Sequence, residues 1–430
     1  MRVRLVAALL AVLAPGPAAA ADRGADPPAL TLPAAAEVLP LAPWLDRREL
    51  LILESSPDGS AAQTTAVSVF PLPVDEVLAA LGDPANFKII SRNLVRVEPA
   101  ASGTGGCTEY EWEVEVPFFN LEGRNRLCVD GVARTVRIHT VRGEVVPSGA
   151  LWRLHPLDGG KTLVVFASFS DVARVSWFLA RMIEEDPIKE QAMVAESGFS
   201  TLRGVKTFLA ERGAHAGDAT WRVEQSGALV GRPELGDAFD SRTAIPLERL
   251  RPLLGRGEVA VFRYSGAGVR APLEQVTVYG EVRARAESVT GWVDEPRRWM
   301  GLIPDLLRVE PLCEKKKASE RRFRMTYGYS VMTFEVEAVA VTGAPGWALK
   351  IRLLGGDLGN GVMGWQVRAV GPKRCVVASS RLTDAMQGSV ILRQMAAGNP
   401  LARQSLNMNR GFLAVRAIKL AAEKVARYGL

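Results

Sequence analysis

The sequence predicts an α+β fold used twice in one chain, and three observations predict it. A segment near residue 93 recurs near residue 305. The middle of each copy alternates apolar and polar residues with the period of a strand. Each copy closes on a long run with apolar residues every three or four positions, the stripe of an amphipathic helix.

The repeat sets the architecture. Asn93-Leu94-Val95-Arg96-Val97-Glu98-Pro99 returns as Asp305-Leu306-Leu307-Arg308-Val309-Glu310-Pro311, 212 positions on, and Pro84 meets Pro296 at the same offset. The offset then becomes 213, matching Trp152 to Trp365, Asp171 to Asp384, Gln191 to Gln404, Arg203 to Arg416 and Lys206 to Lys419. Near the start, Leu45, Arg47 and Glu49 meet Leu254, Arg256 and Glu258 at an offset of 209. Units of this length are whole domains rather than solenoid repeats. The first spans about 36–213 and the second about 250–430. Residues 214–249, rich in Gly, Ala and charge, read as a linker with little core of its own.

Each unit opens with two strand-like runs, Glu49–Glu54 and Thr64–Phe70 in the first, Glu258–Tyr264 and Val276–Ala284 in the second. A short helix follows at Val74–Leu81 or Ala286–Val293, ending before Asp83-Pro84 or Glu295-Pro296 because proline disfavours a helical residue ahead of it. Glu109 to Val116 then alternates strictly, with Tyr110, Trp112, Val114 and Val116 on one face and four glutamates on the other: a half-buried antiparallel strand. Its counterpart carries Phe323, Met325, Tyr327 and Tyr329 on the apolar face, and Arg322 and Arg324 where the first copy has glutamates. The closing helices start at Asp186-Pro187 and Asn399-Pro400, a capping residue followed by a proline whose missing N–H costs nothing there. Their apolar stripes, Phe199 and Phe412 included, need a partner, and the face of the unit's own sheet is the expected one.

This order of elements resembles the START-like superfamily (SRPBCC-type), which includes polyketide cyclase/dehydrase and lipid-transport proteins. The turn Pro71-Leu72-Pro73-Val74, the Asp83-Pro84 step and the segments 93–99 and 305–311 carry the likeness, which covers nearly all of both units. The second copy departs at the proline turn, reading Arg283-Ala284-Arg285-Ala286. The resemblance implies two tandem helix-grip domains, each a curved antiparallel sheet wrapped on a long C-terminal helix, with a lipid or other hydrophobic small molecule held in a cavity between them. Tyr110, Trp112, Val114 and Phe199 in the first unit, and Phe323, Met325, Tyr327 and Phe412 in the second, are the candidate ligand-lining residues; the same set equally forms a packed core.

Signatures of catalysis are missing from the sequence: it has no GxSxG elbow, P-loop or HExxH motif. Gly355 to Gly361 is glycine-rich but lies between strands, so it reads as a loop rather than a dinucleotide fingerprint. His139, His155 and His215 have no counterparts in the other copy, and no Cys/His cluster suggests a metal; no cofactor is expected. Asp171, Arg203, Asp384 and Arg416 recur in both copies and read as a shared cap or surface ion pair, or as a polar site in each cavity.

Arg2 and Arg4, the apolar run Leu5–Leu13 and Ala18-Ala19-Ala20 have the anatomy of a signal peptide, residues 1–21, which predicts a periplasmic or secreted protein. Export permits disulfides. Cys107 and Cys128 sit at opposite ends of a hairpin turning near Phe118 and Phe119 and are expected to pair, while Cys313 and Cys375 either pair or stay free. Residues 256–430 carry a net charge of +12 and the rest −6. The densest basic cluster, Lys315, Lys316, Lys317, Arg321, Arg322 and Arg324, is a candidate for docking on an anionic membrane, for pairing with Glu109, Glu111, Glu113 and Glu115, or for a solvated turn. Nucleic acid is a poor partner for an exported chain without interleaved exposed aromatics. The function expected is therefore binding or transfer of a lipid or other hydrophobic molecule, with a cyclase/dehydrase-type enzyme or a non-catalytic interaction module as the alternatives.

Overall fold

The computed structural model describes residues 29–45, 48–171, 188–212, 234–239, 245–264, 273–383 and 388–428, with short gaps inside these spans. The fold is α+β and its sheet is continuous. The first unit supplies β1 (Arg48–Ser55), β2 (Ala61–Phe70), β3 (Leu94–Ser102), β4 (Cys107–Val116), β5 (Phe119–Asp130), β6 (Thr135–Gly143), β7 (Ser148–Leu157) and β8 (Lys161–Ser170). The second supplies β9 (Gly257–Tyr264), β10 (Leu273–Val282), β11 (Leu306–Cys313), β12 (Glu320–Tyr329), β13 (Met332–Gly343), β14 (Trp347–Gly356), β15 (Gly361–Gly371) and β16 (Arg374–Thr383). Together they form one 16-stranded sheet, ordered β11-β12-β13-β14-β15-β16-β10-β9-β1-β2-β8-β7-β6-β5-β4-β3.

The described helices of eight residues or more are α1 (Val74–Gly82), α2 (Ile188–Arg212), α3 (Leu247–Leu254), α4 (Ala286–Val293) and α5 (Pro400–Tyr428). The Asp83 carboxylate accepts from the Ala85 N–H at 2.9 Å, so the Asp-Pro step that ends α1 also caps the following turn. Residues 186 and 399, expected as helix caps, lie outside the described residues.

The two units meet along β1 and β9, and the register shows how. Glu49 pairs with Phe262 and Leu53 with Glu258. Advancing each first-unit residue by the repeat offset of 209 turns one pair into the other, so the two pairs are one contact made twice. The register is that of a pseudo-two-fold axis through the pair Leu51–Ala260. The helices agree: Asn409 Nδ2 of α5 donates to Glu196 Oε2 of α2 at 3.4 Å, and these two are themselves counterparts at offset 213. A self-complementary contact, usual between identical subunits, is here built into one chain.

Because β1 is central it is covered on both faces, and Leu50 to Leu53 are all buried. Leu51 and Leu53 point to the long helices, within a core that runs through both units. Leu50 and Ile52 point away, into a second core with Leu41, Leu45, Leu250, Leu254, Val259 and Val261. The linker is therefore not as bare as its composition suggests. Leu250 and Leu254 of α3 are the counterparts of Leu41 and Leu45, and Ala238 and Ile245 are buried as well. Ile245, Leu250 and Leu254 cover the junction strands, a role that no single unit's sequence requires, while Ala238 packs on Val362 and Leu382 of β15 and β16.

The outer edges of the sheet are β3 and β11, the segments of the best repeat. Pro99 and Pro311 sit in them, breaking the register and withholding a backbone donor that would otherwise invite another strand.

Candidate ligand-binding interior

The face of the sheet beneath α2 and α5 positions most of the predicted lining residues. Tyr110, Trp112, Phe199, Phe323, Met325, Tyr327 and Phe412 are buried in the continuous core, and Val114 packs against it half-buried. The helices approach closely at one level. A Cβ on Gly198 would lie 2.8 Å from the Thr64 side chain, and one on its counterpart Gly411 would lie 2.6 Å from Val278. The repeated glycine is the means by which each helix seats on the sheet.

The helix stripes do not serve their own sheets alone. Phe199 of α2 stacks on Phe262 of β9, centroids 4.4 Å apart at 11°. Each long helix lies on strands of its own unit, as expected, and α2 reaches the neighbouring unit as well because β9 continues the first unit's sheet beneath it.

Arg203 and Arg416 are not in a surface pair, nor with Asp171. Arg203 Nε lies 2.8 Å from Glu49 and Lys206 Nζ 3.0 Å from it, all three buried, and Lys206 also donates to Ser68. In the second unit Arg416 Nη1 lies 3.3 Å and Lys419 Nζ 2.8 Å from Glu258. The recurring Glu, Arg and Lys are thus one triad per unit, which fixes each long helix to a junction strand. Sequence comparison aligned all three positions; it lacked only the fact that β1 and β9 run under the helices. Asp384 lies outside the described residues, and the Asp171 N–H donates to the Pro147 carbonyl.

The inner faces carry different polar groups in the two units. In the first, Asn125 Oδ1 accepts from Trp112 Nε1 and Thr140 Oγ1, both at 2.9 Å, and its Nδ2 donates to the Tyr110 hydroxyl at 3.0 Å. Thr140 in turn meets Ser148. Burial pushes the Tyr110 hydroxyl up to about 12, partly offset by Asn125, so it stays un-ionised at neutral pH. In the second unit the positions matching Tyr110, Trp112 and Asn125 are Phe323, Met325 and Ala338, which cannot make this chain. That unit instead buries Arg381 on β16, with Arg410 Cζ 5.5 Å over the ring of Tyr327. Asn125 and Arg381 were missed in the sequence because neither recurs. Each is visible as a polar residue at an inward position where its counterpart, Ala338 or Ser168, is small.

The acidic face of β4 is answered within its own unit. Arg126 meets Glu109 at 2.6 Å, Arg124 and Arg142 each meet Glu111 at 2.8 Å, and Arg96 meets Glu113 at 3.1 Å. The partners of Glu109, Glu111 and Glu113 come from the neighbouring strands β3, β5 and β6 instead of the basic cluster on and beside β12, which lies next to the other end of the strand order. Arg321 meets Asp294 at 2.9 Å, Arg322 is exposed and Arg324 is half-buried; Lys315, Lys316 and Lys317 lie outside the described residues. Cys107 and Cys128 lie directly opposite each other on β4 and β5 and are joined by a disulfide. Cys375 is a free thiol on β16, pushed up to about 12 by burial and by Glu287, Glu281 and Glu423. The Cys313 side chain lies outside the described residues.

A cavity of about 280 Å³ lies on the other face of the sheet, walled by Arg48, Arg263, Tyr279 and Arg368 and roofed by Ile245 and Leu247. It forms where the chain leading into α3 crosses β9 and β10, which the sequence alone does not disclose.

No family model matches the chain, and no curated protein does. It is similar to solved structures of START-superfamily proteins. The di-domain ARO/CYC BexL from the BE-7585A biosynthetic pathway is 14% identical, over 84% of this chain and 97% of that one, with a TM-score of 0.28. A STAR-related lipid transfer protein from Xanthomonas axonopodis is 15% identical over 38% and 93%, with a TM-score of 0.29. Human STARD10 is 11% identical over 40% and 73%, with a TM-score of 0.30. At these scores the likenesses carry no argument about this chain's activity. Its START-like order of elements is read from its own topology, with β1 and β9 as added strands.

Proposed function

We propose that this protein binds and transfers a lipid or other hydrophobic small molecule, held between the sheet and the long helix of one or both units. The observation that carries the reading is the Tyr110–Asn125–Thr140 chain, in which a half-buried amide links two buried hydroxyls. It sets a hydrogen-bonding group of fixed orientation among apolar residues of the inner face, away from the Glu49 triad, which is the usual chemistry of a small-molecule site. Titration of the full chain with cis-parinaric acid, read by energy transfer from tryptophan, tests it. Saturable uptake at one or two molecules per chain is expected; a linear, non-saturating signal would sink the reading.

The setting is proposed to be the periplasm or the exterior, on the leader-like residues 1–21; an intact mass starting near residue 21 or 22 checks this. Peripheral contact with an anionic membrane is supported by the edge of the second unit. There Leu307 and Leu312 are exposed on β11, with Arg308 on the same strand and Arg322 on the next. Co-sedimentation with phosphatidylglycerol vesicles that falls with salt is expected, and equal sedimentation with phosphatidylcholine vesicles would contradict it.

A further inference from the structure

Arg381 is a cation placed where a cation is costly. It is 7% exposed, on the inner face of β16 opposite Met363, and its strand neighbours Cys375 and Val377 belong to the core. Among the described residues its Nη1 meets the Met363 thioether, at 3.5 Å, and its Nε has no hydrogen-bond partner. Among the described residues no carboxylate pairs with it. Its charged surroundings include a second cation, Arg410. Burial holds its guanidinium down at about 10, which still leaves it protonated at neutral pH. A protein keeps a buried charge when something pairs with it.

The first unit has no cation at the matching position. Thr64 pairs with Ser168 across β2 and β8, and the matching pair across β10 and β16 is Val276 with Arg381. The guanidinium is therefore peculiar to the second unit and not demanded by the shared fold.

We propose that the second unit selects an amphiphile with a carboxylate or phosphate head, which accepts hydrogen bonds from Arg381 while the apolar tail lies along Phe323, Met325 and Phe412. The proposal rests on the reading that the interior holds a hydrophobic ligand, and adds the charge of that ligand's head. A guanidinium presents a planar fork of donors suited to both heads. The first unit, with Tyr110, Asn125 and Thr140, offers neutral groups suited to a hydroxyl or carbonyl.

The test compares three probes with the same C18 chain on the full-length protein: oleate, oleoyl-lysophosphatidate and oleyl alcohol. One anionic probe or both should bind roughly ten- to a hundredfold tighter than the alcohol, and the tighter of the two identifies the head. Arg381→Met should abolish that preference, bringing the anionic probes to the affinity of the alcohol, and should raise the Tm of the ligand-free protein. Arg381→Lys should keep part of the preference. Equal affinity for all three probes on the wild-type chain overturns the proposal and leaves the binding function standing, whether or not the variants fold. Binding of none of the three overturns both.

Discussion

The ring of Phe199 lies flat on the ring of Phe262, 4.4 Å away, and the two residues belong to different halves of a duplicated chain. The stack, the β1–β9 ladder and the continuous core make the halves one folding body. Phe199→Ala or Phe262→Ala should each cost about 3–5 kcal/mol. A double-mutant cycle should return a coupling of roughly 0.5–1.5 kcal/mol. Calorimetry of the wild-type chain should show a single transition; two transitions, one per unit, would contradict the fusion.

The buried triads predict an asymmetry between two kinds of glutamate. Glu49→Gln leaves Arg203 and Lys206 buried beside a neutral amide, at a cost of about 3–5 kcal/mol, and Glu258→Gln should cost less because Lys419 is half-buried. Glu98→Gln, at an exposed pair with Arg96, should change stability by less than about 1 kcal/mol. Urea titration of the three variants measures both.

Reduction of Cys107–Cys128 frees a loop with a sequence separation of 21, which by chain entropy is worth roughly 2–4 kcal/mol. The Tm should fall in dithiothreitol, and the Cys107→Ser/Cys128→Ser variant should show the lower value with and without reductant.

His155 gives a pH signature. Burial, then Arg153 and Arg134, hold its pKa below 6.5, and its Nε2 has no hydrogen-bond partner. Above pH 6.5 the imidazole is neutral in both states. As the pH falls below 6.5 the unfolded chain takes a proton that the folded chain resists, so stability is lost until the folded pKa is passed. His155→Gln should flatten that part of the stability profile, read as urea midpoints between about pH 7 and pH 5.

Much of this was written in the sequence. Strict alternation from Glu109 to Val116 gave β4 its apolar face, and the stripes through Phe199 and Phe412 gave the two long helices. The repeat gave both units, because pattern is local and duplication doubles it. What the sequence withheld was pairing. That Glu49 meets Arg203, and that Glu109 is met by Arg126 rather than by a distant basic cluster, depends on which strands are neighbours. The fusion was hidden for the same reason: Glu49 and Glu258 aligned as counterparts, yet nothing in the alignment says that their strands lie side by side. Asn125 and Arg381 escaped because self-comparison rewards what recurs, whereas the polar groups that distinguish the two interiors do not.

The most direct test of the binding function is native mass spectrometry of the full chain freshly purified from its own cells, with organic extraction of whatever is bound. The account predicts a stoichiometric hydrophobic adduct that survives gentle desolvation and is lost on denaturation. A clean ligand-free mass, unchanged after incubation with a panel of lipids, would contradict it.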